Sequence, residues 1–304
     1  MHIIIRDKPD EGVAMLFVDC INYDVGFDNG SFDGLVEDII SKTKSAWDNG
    51  ADVVMFPEYT WVNGVQYASP MLDRHQLSAL FWTNAFPRLK SALCVSGKTA
   101  ILGSVPRVQD GALYNTCPIF TNGDVVLQDK LALTPWEDEF TGGDSVNIFK
   151  VGDLNCAVLI CLDVEMPDFA QNFKNYGELD VLFVPSATET VMGVERIARC
   201  ATARSVELAC AVITSGLTGC IADYPFIDAN YGRAALYLPS LSGFEDVARV
   251  VETDIETTGG QPHRFEIADD LFALAKTKIM STNPALVQAE KDIKINDKRQ
   301  SMAA

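Results

Sequence analysis

Histidine is scarce in this sequence, with three copies in 304 residues. His2 lies near the start of the chain, His75 in a predicted helix and His263 in a loop rich in glycine and proline. A Ser-His-Asp or Cys-His mechanism would need one of the last two. No G-x-S-x-G nucleophile elbow is present either. If the chain carries a nucleophilic cysteine, we therefore expect its base to be a residue other than histidine.

Cysteine is sparse and follows no ligand pattern. The eight cysteines include no C-x-x-C pair, and no histidine cluster accompanies them. They are too few for a disulfide scaffold and lack the spacing of a zinc site. We expect a reduced, cytoplasmic protein without structural zinc.

Positive charge and long apolar runs are also lacking. Lysine and arginine total 24 against 42 acidic residues, which gives a formal net charge of −18. This balance argues against nucleic acid or an anionic membrane as a partner, because both attract clustered basic residues. No stretch approaches the roughly 18–20 apolar residues of a membrane span. The first residues carry no apolar segment of the kind found in secretory signals, so we expect none.

Hydrophobic patterning predicts an α/β fold. Strands are predicted at 13–21, 52–58, 100–107, 149–154, 157–161, 180–185, 209–215, 231–239 and 247–255. Helices are predicted at 33–49, 72–92, 167–178, 191–208 and 265–280. A hairpin at 113–129, turning at 121–124, and the consecutive strands near 231–255 favour a mixed sheet or two sheets. No shift in composition divides the chain, so we expect one domain over 1–280 and a polar tail or arm over 281–304.

Three apolar strands end in reactive polar residues, namely Glu58, Lys130 and Cys161. Polar groups just beyond a buried strand lie at the rim of the sheet, where α/β folds place their active sites. A carboxylate can act as the base for a thiol, and an ammonium group favours the thiolate and can stabilise an oxyanion. Backbone N–H groups at the strand end predict partial ionisation of the thiol. Each residue also has an ordinary explanation, as a core cysteine, a helix cap or ion-paired glutamate, and a solvated lysine.

Ordered motifs around these residues resemble the nitrilase superfamily of carbon–nitrogen hydrolases. The motifs are Phe56-Pro57-Glu58, Asp129-Lys130 leading into Leu133-Thr134-Pro135-Trp136-Glu137, and Ile160-Cys161-Leu162-Asp163 with Met166-Pro167-Asp168. Arg199–Glu207 and Tyr231–Ala235 resemble a later helix and strand of that family. The resemblance runs from residue 13 to residue 255. It implies a four-layer αββα sandwich with two mixed sheets, no metal, no organic cofactor, and a homodimer or higher homo-oligomer.

The resemblance also implies roles for individual residues. It assigns Glu58 as general base, Lys130 as oxyanion stabiliser and Cys161 as nucleophile. The backbone N–H of Leu162 is the implied second oxyanion donor. Many members carry a second glutamate after the lysine, and Glu137 occupies that place.

Three positions qualify this assignment. Leu162 stands where the family commonly has an aromatic residue, although a backbone N–H does not depend on that side chain. Asp168 stands where glutamate is usual, and Glu139 is an alternative to Glu137 as the second glutamate.

Leu162-Asp163 follows the cysteine where true nitrilases usually have Trp-Glu. We therefore expect hydrolysis of a small linear amide or carbamoyl amide through a cysteine thioester. Nitrile hydrolysis, a catalytically silent binding protein and a redox-sensing thiol protein are the alternatives. The residues predicted to line the substrate pocket are Tyr59, Trp61, Trp136, the turn Ser186-Ala187-Thr188-Glu189, and Met192.

Overall fold

The computed structural model describes residues 2–4, 14–176, 179–241 and 243–277. The strands of the first sheet are β1 (His2–Ile4), β2 (Met15–Ile21), β3 (Val53–Phe56), β4 (Thr99–Leu102), β5 (Val105–Gln109), β6 (Ala112–Thr121), β7 (Asp124–Asp129) and β14 (Pro262–Ala268). Those of the second are β8 (Phe149–Val151), β9 (Leu154–Val158), β10 (Val181–Ser186), β11 (Ala211–Gly216), β12 (Ala235–Tyr237) and β13 (Val250–Glu252). The α-helices are α1 (Phe32–Asp48), α2 (Arg74–Leu80), α3 (Phe86–Leu93), α4 (Pro167–Tyr176), α5 (Val191–Leu208) and α6 (Asp269–Thr277).

Both sheets are mixed. In the first, the order is β1-β14-β2-β3-β4-β6-β5, with β7 paired to β6. Its strands β2, β3 and β4 are parallel, whereas β14 and β6 run antiparallel to their neighbours in this centre. In the second, the order is β13-β12-β11-β10-β9-β8, with a parallel centre and antiparallel edges.

The side chains of β3 show how the layers stack. Val53 and Met55 belong to a core between the two sheets, whereas Val54 and Phe56 belong to a core between the first sheet and helices α1 to α3. This alternation follows from the two-residue period of a strand. Helices α4 and α5 cover the other face of the second sheet. The result is the four-layer αββα sandwich that the resemblance implied.

Local signals explain the best-predicted helix. The range 191–208 matches α5, because Thr190 caps its first turn by accepting the N–H of Gly193. The predicted helix 72–92 is α2 and α3 joined by one wider turn at Phe81–Ala85, and Pro87 is tolerated because it lies at the start of α3.

Gly103 divides the predicted strand 100–107 into β4 and β5. Its φ is +67°, and a Cβ atom there would lie 2.0 Å from the carbonyl oxygen of Pro57. Only glycine lets the two backbones approach so closely. This contact supports the backbone immediately before Glu58.

The helix predicted at 265–280 is wrong in its first part. Pro262–Ala268 forms β14, which pairs with β2, and the following Asp269–Thr277 is helical, while residues 278–280 lie outside the described residues. Phe265 and Ile267 alternate into the core as strand residues do, and Arg264 forms an ion pair with Asp19 of β2 at 2.7 Å. The predicted tail, 281–304, lies outside the described residues.

Candidate active site

Glu58, Lys130, Glu137 and Cys161 meet at one end of the sandwich. Lys130 Nζ lies 2.8 Å from Glu58 Oε1 and 2.8 Å from Glu137 Oε2. The three charged side chains are at most 2% exposed. Glu58 follows β3 and Lys130 follows β7 in the first sheet, whereas Cys161 follows β9 in the second. The fold therefore brings together three strand ends that are far apart in the sequence.

Cys161 occupies a backbone conformation that is uncommon outside glycine. Its φ is +49°, and it is the first residue of a short 3₁₀ turn, Cys161–Glu165. Its side chain hydrogen-bonds to Glu58, and Sγ lies 3.5 Å from the carbonyl oxygen of Ala187. Backbone strain of this kind costs on the order of 1–3 kcal/mol and is concentrated at functional sites.

The turn also leaves backbone donors available. The N–H of Asp163 is the first to bond within it, donating to the Ile160 carbonyl at 3.0 Å. The N–H groups of Cys161 and Leu162 come earlier in the turn and so have no partner within it. Leu162 is also one of the residues that line the cavity described below.

Their surroundings shift the pKa values of the two glutamates in opposite directions. Burial raises the pKa of Glu58, and the charge of Glu137 adds to the rise, while Lys130 opposes it. Burial acts in the same direction on Glu137, but Lys130 and hydrogen bonds from Tyr59 and Thr134 outweigh it and lower the pKa of Glu137. Glu58 is therefore the carboxylate suited to accept a proton, whereas Glu137 stays ionised.

Lys130 keeps its charge despite its burial. Burial alone would lower the pKa of the ammonium group, but the charges of Glu58, Cys161 and Glu137 outweigh burial and raise it. The site therefore contains a permanent cation between two carboxylates.

The thiol is neutral at rest. Burial raises the pKa of Cys161 well above its ordinary value, and the nearby charge of Glu58 raises it further, against the opposing effect of Lys130. The predicted partial ionisation of the thiol is therefore wrong. Burial and the charge of Glu58 raise the pKa of Cys161 by more than Lys130 lowers it. A neutral thiol needs a base before it can act as a nucleophile, and Glu58 is hydrogen-bonded to this one.

A buried asparagine that was not predicted from the sequence also belongs to this cluster. Asn115 of β6 donates from Nδ2 to Glu58 Oε1 at 3.0 Å and to Glu137 Oε1 at 3.1 Å. The available signal was its position as an amide in a strand whose residues are mostly buried, since buried polar side chains need partners.

Asp163 was also missed as a structural contact. Its carboxylate accepts backbone N–H groups from Ile160 at 3.0 Å, Leu131 at 3.1 Å and Ala132 at 2.7 Å. It thereby ties the turn that holds Cys161 to the backbone that follows Lys130. Burial raises the pKa of Asp163 to about 7, although the three N–H donors and Lys130 oppose the rise.

We expect Asp163 to make the free energy of unfolding depend on pH. The pKa of Asp163 is higher in the folded protein than in the unfolded chain. The stabilisation that follows from this difference is therefore complete below pH 4 and is lost as the pH rises towards 7. Asp163→Asn removes this titration. The difference in unfolding free energy between pH 4 and pH 7 should therefore be smaller in the variant than in the unmodified protein by a few kcal/mol. Urea denaturation of both proteins at several pH values measures it. Parallel pH profiles would contradict the expectation.

A cavity of about 180 Å³ opens onto the cluster. Its lining residues are Glu58, Tyr59, Lys130, Thr134, Trp136, Glu137, Cys161, Leu162, Glu165, Ala187, Thr188, Glu189, Thr190, Gly193, Arg196, Phe226, Ile227 and Asn230. Tyr59, Trp136, Ala187, Thr188 and Glu189 were expected there. Glu165, Arg196, Phe226, Ile227 and Asn230 were not, because nothing local in the sequence distinguishes them.

Three predicted lining residues lie elsewhere. Trp61 is fully buried, where its indole N–H donates to the Leu102 carbonyl at 2.9 Å and its ring packs 4.7 Å from that of Phe81. Ser186 lines a separate space of about 20 Å³ and is not among the residues that line the cavity. Met192 projects outward at the start of α5 and is 66% exposed.

Within the described ranges, no three or more histidine, cysteine or acidic side chains come together in a way that could hold a metal ion. None of the helices there combines the length and the apolar character that a membrane span requires. All eight cysteines, which lie within those ranges, are free thiols.

Comparisons with known proteins place this architecture in a family. Residues 25–259 match the family model described as carbon-nitrogen hydrolase. The probable hydrolase YhcX of Bacillus subtilis is 28% identical over 232 residues, covering 74% of this chain and 45% of that protein. The omega-amidase NIT2 of Xenopus tropicalis is 24% identical over 163 residues, covering 49% of this chain and 56% of that protein. The chain thus spans about half the length of these curated relatives.

A solved structure shows the same fold. The CN-hydrolase superfamily protein XC1258 of Xanthomonas campestris superposes with a TM-score of 0.67 at 13% identity, covering 92% of this chain and 99% of that one. The family match over most of the sequence and this shared fold lead to one conclusion. The chain belongs to the carbon–nitrogen hydrolase family, within the nitrilase superfamily.

Proposed function

We propose that this protein hydrolyses a small linear amide or carbamoyl amide, with Cys161 as nucleophile, Glu58 as general base and Lys130 as oxyanion stabiliser. The observation that carries the proposal is the buried cluster at the floor of the cavity. There, Glu58, a carboxylate of raised pKa, contacts both the thiol of Cys161 and the permanent ammonium of Lys130.

In the first half of the reaction, the thiol attacks the amide carbon. The proton of Cys161 passes to Glu58 as the S–C bond forms. The carbonyl oxygen becomes an oxyanion, which Lys130 and the N–H of Leu162 stabilise. When the intermediate collapses, the C–N bond breaks, Glu58 returns the proton to the leaving nitrogen, and a thioester remains.

In the second half, water resolves the thioester. Glu58 takes a proton from the water, which attacks the same carbon, and the oxyanion occupies the same donors. The C–S bond then breaks, and the proton returns from Glu58 to the sulfur of Cys161. The acid product leaves, and the site is restored with atoms and charges balanced.

The hydrogen bonds of Lys130 are compatible with this role. An ammonium group has three N–H donors. Two are directed at Glu58 and Glu137, so one is available for a substrate oxygen. Glu137, with its lowered pKa, is better suited to anchoring Lys130 than to moving protons.

The size and lining of the cavity favour a small substrate. Its volume of about 180 Å³ is below the roughly 300–1,000 Å³ of sites for drug-sized ligands. Trp136 and Phe226 supply apolar surface, and the mouth contains an Arg196–Glu165 ion pair at 2.5 Å. The name of the omega-amidase relative also supports an amide over a nitrile.

A matched library tests the proposal. Short aliphatic chains are offered as the free amide, the N-carbamoyl amine and the nitrile, each with a neutral, carboxylate or ammonium tail. Ammonia release and intact protein mass are followed, and peptide mapping locates any acyl adduct. Ammonia from amides or carbamoyl amides, with the adduct on the Cys161 peptide, supports the proposal.

Three results would contradict it. They are faster release from nitriles than from the corresponding amides, an adduct confined to another cysteine such as the exposed Cys220, or no turnover together with a peroxide-induced disulfide. The last would favour a redox sensor. The homo-oligomer and the cytoplasmic location stay predictions, to be tested by light scattering after gel filtration and by cell fractionation.

A further inference from the structure

Asn115 contacts every charged member of the cluster. It lies within β6 and is fully buried. Its side-chain nitrogen bridges Glu58 Oε1 and Glu137 Oε1, at 3.0 Å and 3.1 Å. Its backbone carbonyl accepts a hydrogen bond from the backbone N–H of Lys130 at 2.8 Å. One residue thus fixes the spacing of the two glutamates and the strand end that carries the lysine.

The orientation of this amide is determined by the two carboxylates. Asn115 Oδ1 is buried and has no hydrogen-bond partner among the described residues. A buried unpaired oxygen is unfavourable, yet the reversed amide would direct that oxygen at two anions. Both N–H groups are therefore committed to carboxylate oxygens, and hydrogen bonds of this kind favour the ionised form of the acceptor.

The charges around the glutamates show why a neutral donor suits this place. Among the described residues, Lys130 is the one cation that lies against both carboxylates, so the three groups together carry one net negative charge when the glutamates are ionised. A second cation would hold Glu58 too firmly in its ionised form for it to accept a proton. An amide offsets part of the repulsion between Glu58 and Glu137 without adding charge.

We propose that Asn115 is a positioning residue that holds Glu58 and Glu137 side by side as carboxylates and so keeps Glu58 ready to take the proton of Cys161. The proposal rests on the proposed function in assigning Glu58 as the base. Glu58 Oε1 is occupied by Lys130 and Asn115, while Oε2 accepts the Ala187 N–H at 3.1 Å.

The titratable groups facing Glu58 come from several elements. They are Lys130 after β7, Glu137 in the following loop, Cys161 after β9, Tyr59 beside Glu58 in the chain, and Cys117 of β6. None is altered by a substitution at position 115. A change in pH response in such a variant therefore reports the loss of the bridging amide.

The test measures the pH dependence of the reaction of Cys161 with iodoacetamide, followed by peptide mass so that the other thiols are resolved. This readout needs no amide substrate. Asn115→Ala removes a donor from Glu58, which favours the protonated form and raises its pKa. The pH at which the rate reaches half its maximum should therefore rise by about one unit.

Two further variants make the test decisive. Asn115→Asp keeps the shape of the side chain but adds a third carboxylate, so its upward shift should exceed that of Asn115→Ala. Asn63→Ala removes another fully buried asparagine, whose Nδ2 donates to the carbonyls of Val25 at 2.7 Å and Phe27 at 2.8 Å. It should lower the melting temperature without moving the profile.

The outcomes separate the proposals. An upward shift in both Asn115 variants supports the positioning role, even if the amide library shows no turnover. The positioning role would be overturned if the pH profiles of the Asn115 variants coincided with that of the unmodified protein, or if Asn63→Ala shifted the profile equally. Neither result would contradict the proposed amide hydrolysis. If Asn115→Ala does not fold, the isosteric Asn115→Asp carries the test.

Discussion

Cys161→Ala is expected to lower amide turnover on the order of 10⁴-fold or more while leaving the fold intact. The thiol supplies the one protein atom that forms a covalent bond with the substrate in the proposed reaction. Without it, Glu58, Lys130 and the N–H of Leu162 can still bind the amide and polarise its carbonyl. Substrate binding should therefore persist in the variant, although the covalent adduct disappears.

The local structure explains why stability should change little. Alanine tolerates the φ of +49° no better than cysteine, so the strain of the turn stays. The lost thiol removes one long contact, to the Ala187 carbonyl at 3.5 Å, and its hydrogen bond to Glu58. We expect the free energy of unfolding to change by less than about 2 kcal/mol.

Two matched variants complete the comparison. Cys156→Ala removes a second buried thiol, which lies on β9 five residues before Cys161, and this variant should keep full activity. Cys161→Gly should be more stable than Cys161→Ala by about 1 kcal/mol, because glycine adopts positive φ without strain. Ammonia release and urea denaturation measure both effects. Comparable activity in the unmodified protein and Cys161→Ala would remove Cys161 from the mechanism.

The sequence could predict which residues end the strands, but not all that surrounds them. Glu58, Lys130 and Cys161 follow apolar runs, and the sheet rim is where such residues meet. Asn115 lies within a strand, and its partners come from positions 58 and 137. Pairing across a sheet is set by register between distant segments, which no local pattern encodes.

The two tryptophans show the same limit. Trp61 is close to Glu58 in sequence, yet the 3₁₀ segment Thr60–Tyr67 carries it into the core behind the first sheet. Trp136 lies six residues beyond Lys130 and is exposed at the cavity mouth. A residue that is close in sequence to a strand end therefore lies near the site. The direction of the following turn decides whether its side chain faces the cavity.

The second large expected effect concerns Lys130, whose replacement should impair both stability and catalysis. Lys130→Met keeps much of the side-chain volume but leaves Glu58 and Glu137 buried without their cation. Breaking a buried ion pair by removing one partner costs about 3–5 kcal/mol. Loss of an oxyanion donor lowers turnover by about 10²–10³-fold.

The stability loss should depend on pH with a definite sign. Lys130 lowers the pKa of Glu137, so the stabilisation that it provides is present at neutral pH and is lost as the pH falls through the folded pKa. The gap in unfolding free energy between the unmodified protein and Lys130→Met should therefore be largest near pH 7 and narrow towards pH 4. Urea denaturation across this range measures it.

A double variant separates the two roles of the lysine. Lys130→Met combined with Glu137→Gln removes one of the uncompensated carboxylates, so part of the lost stability should return at neutral pH. Turnover should stay as low as in Lys130→Met, because the oxyanion still lacks its ammonium donor. If turnover returned together with stability, Lys130 would act only by holding the glutamates in place, and stabilisation of the oxyanion would have to come from the backbone N–H of Leu162 alone.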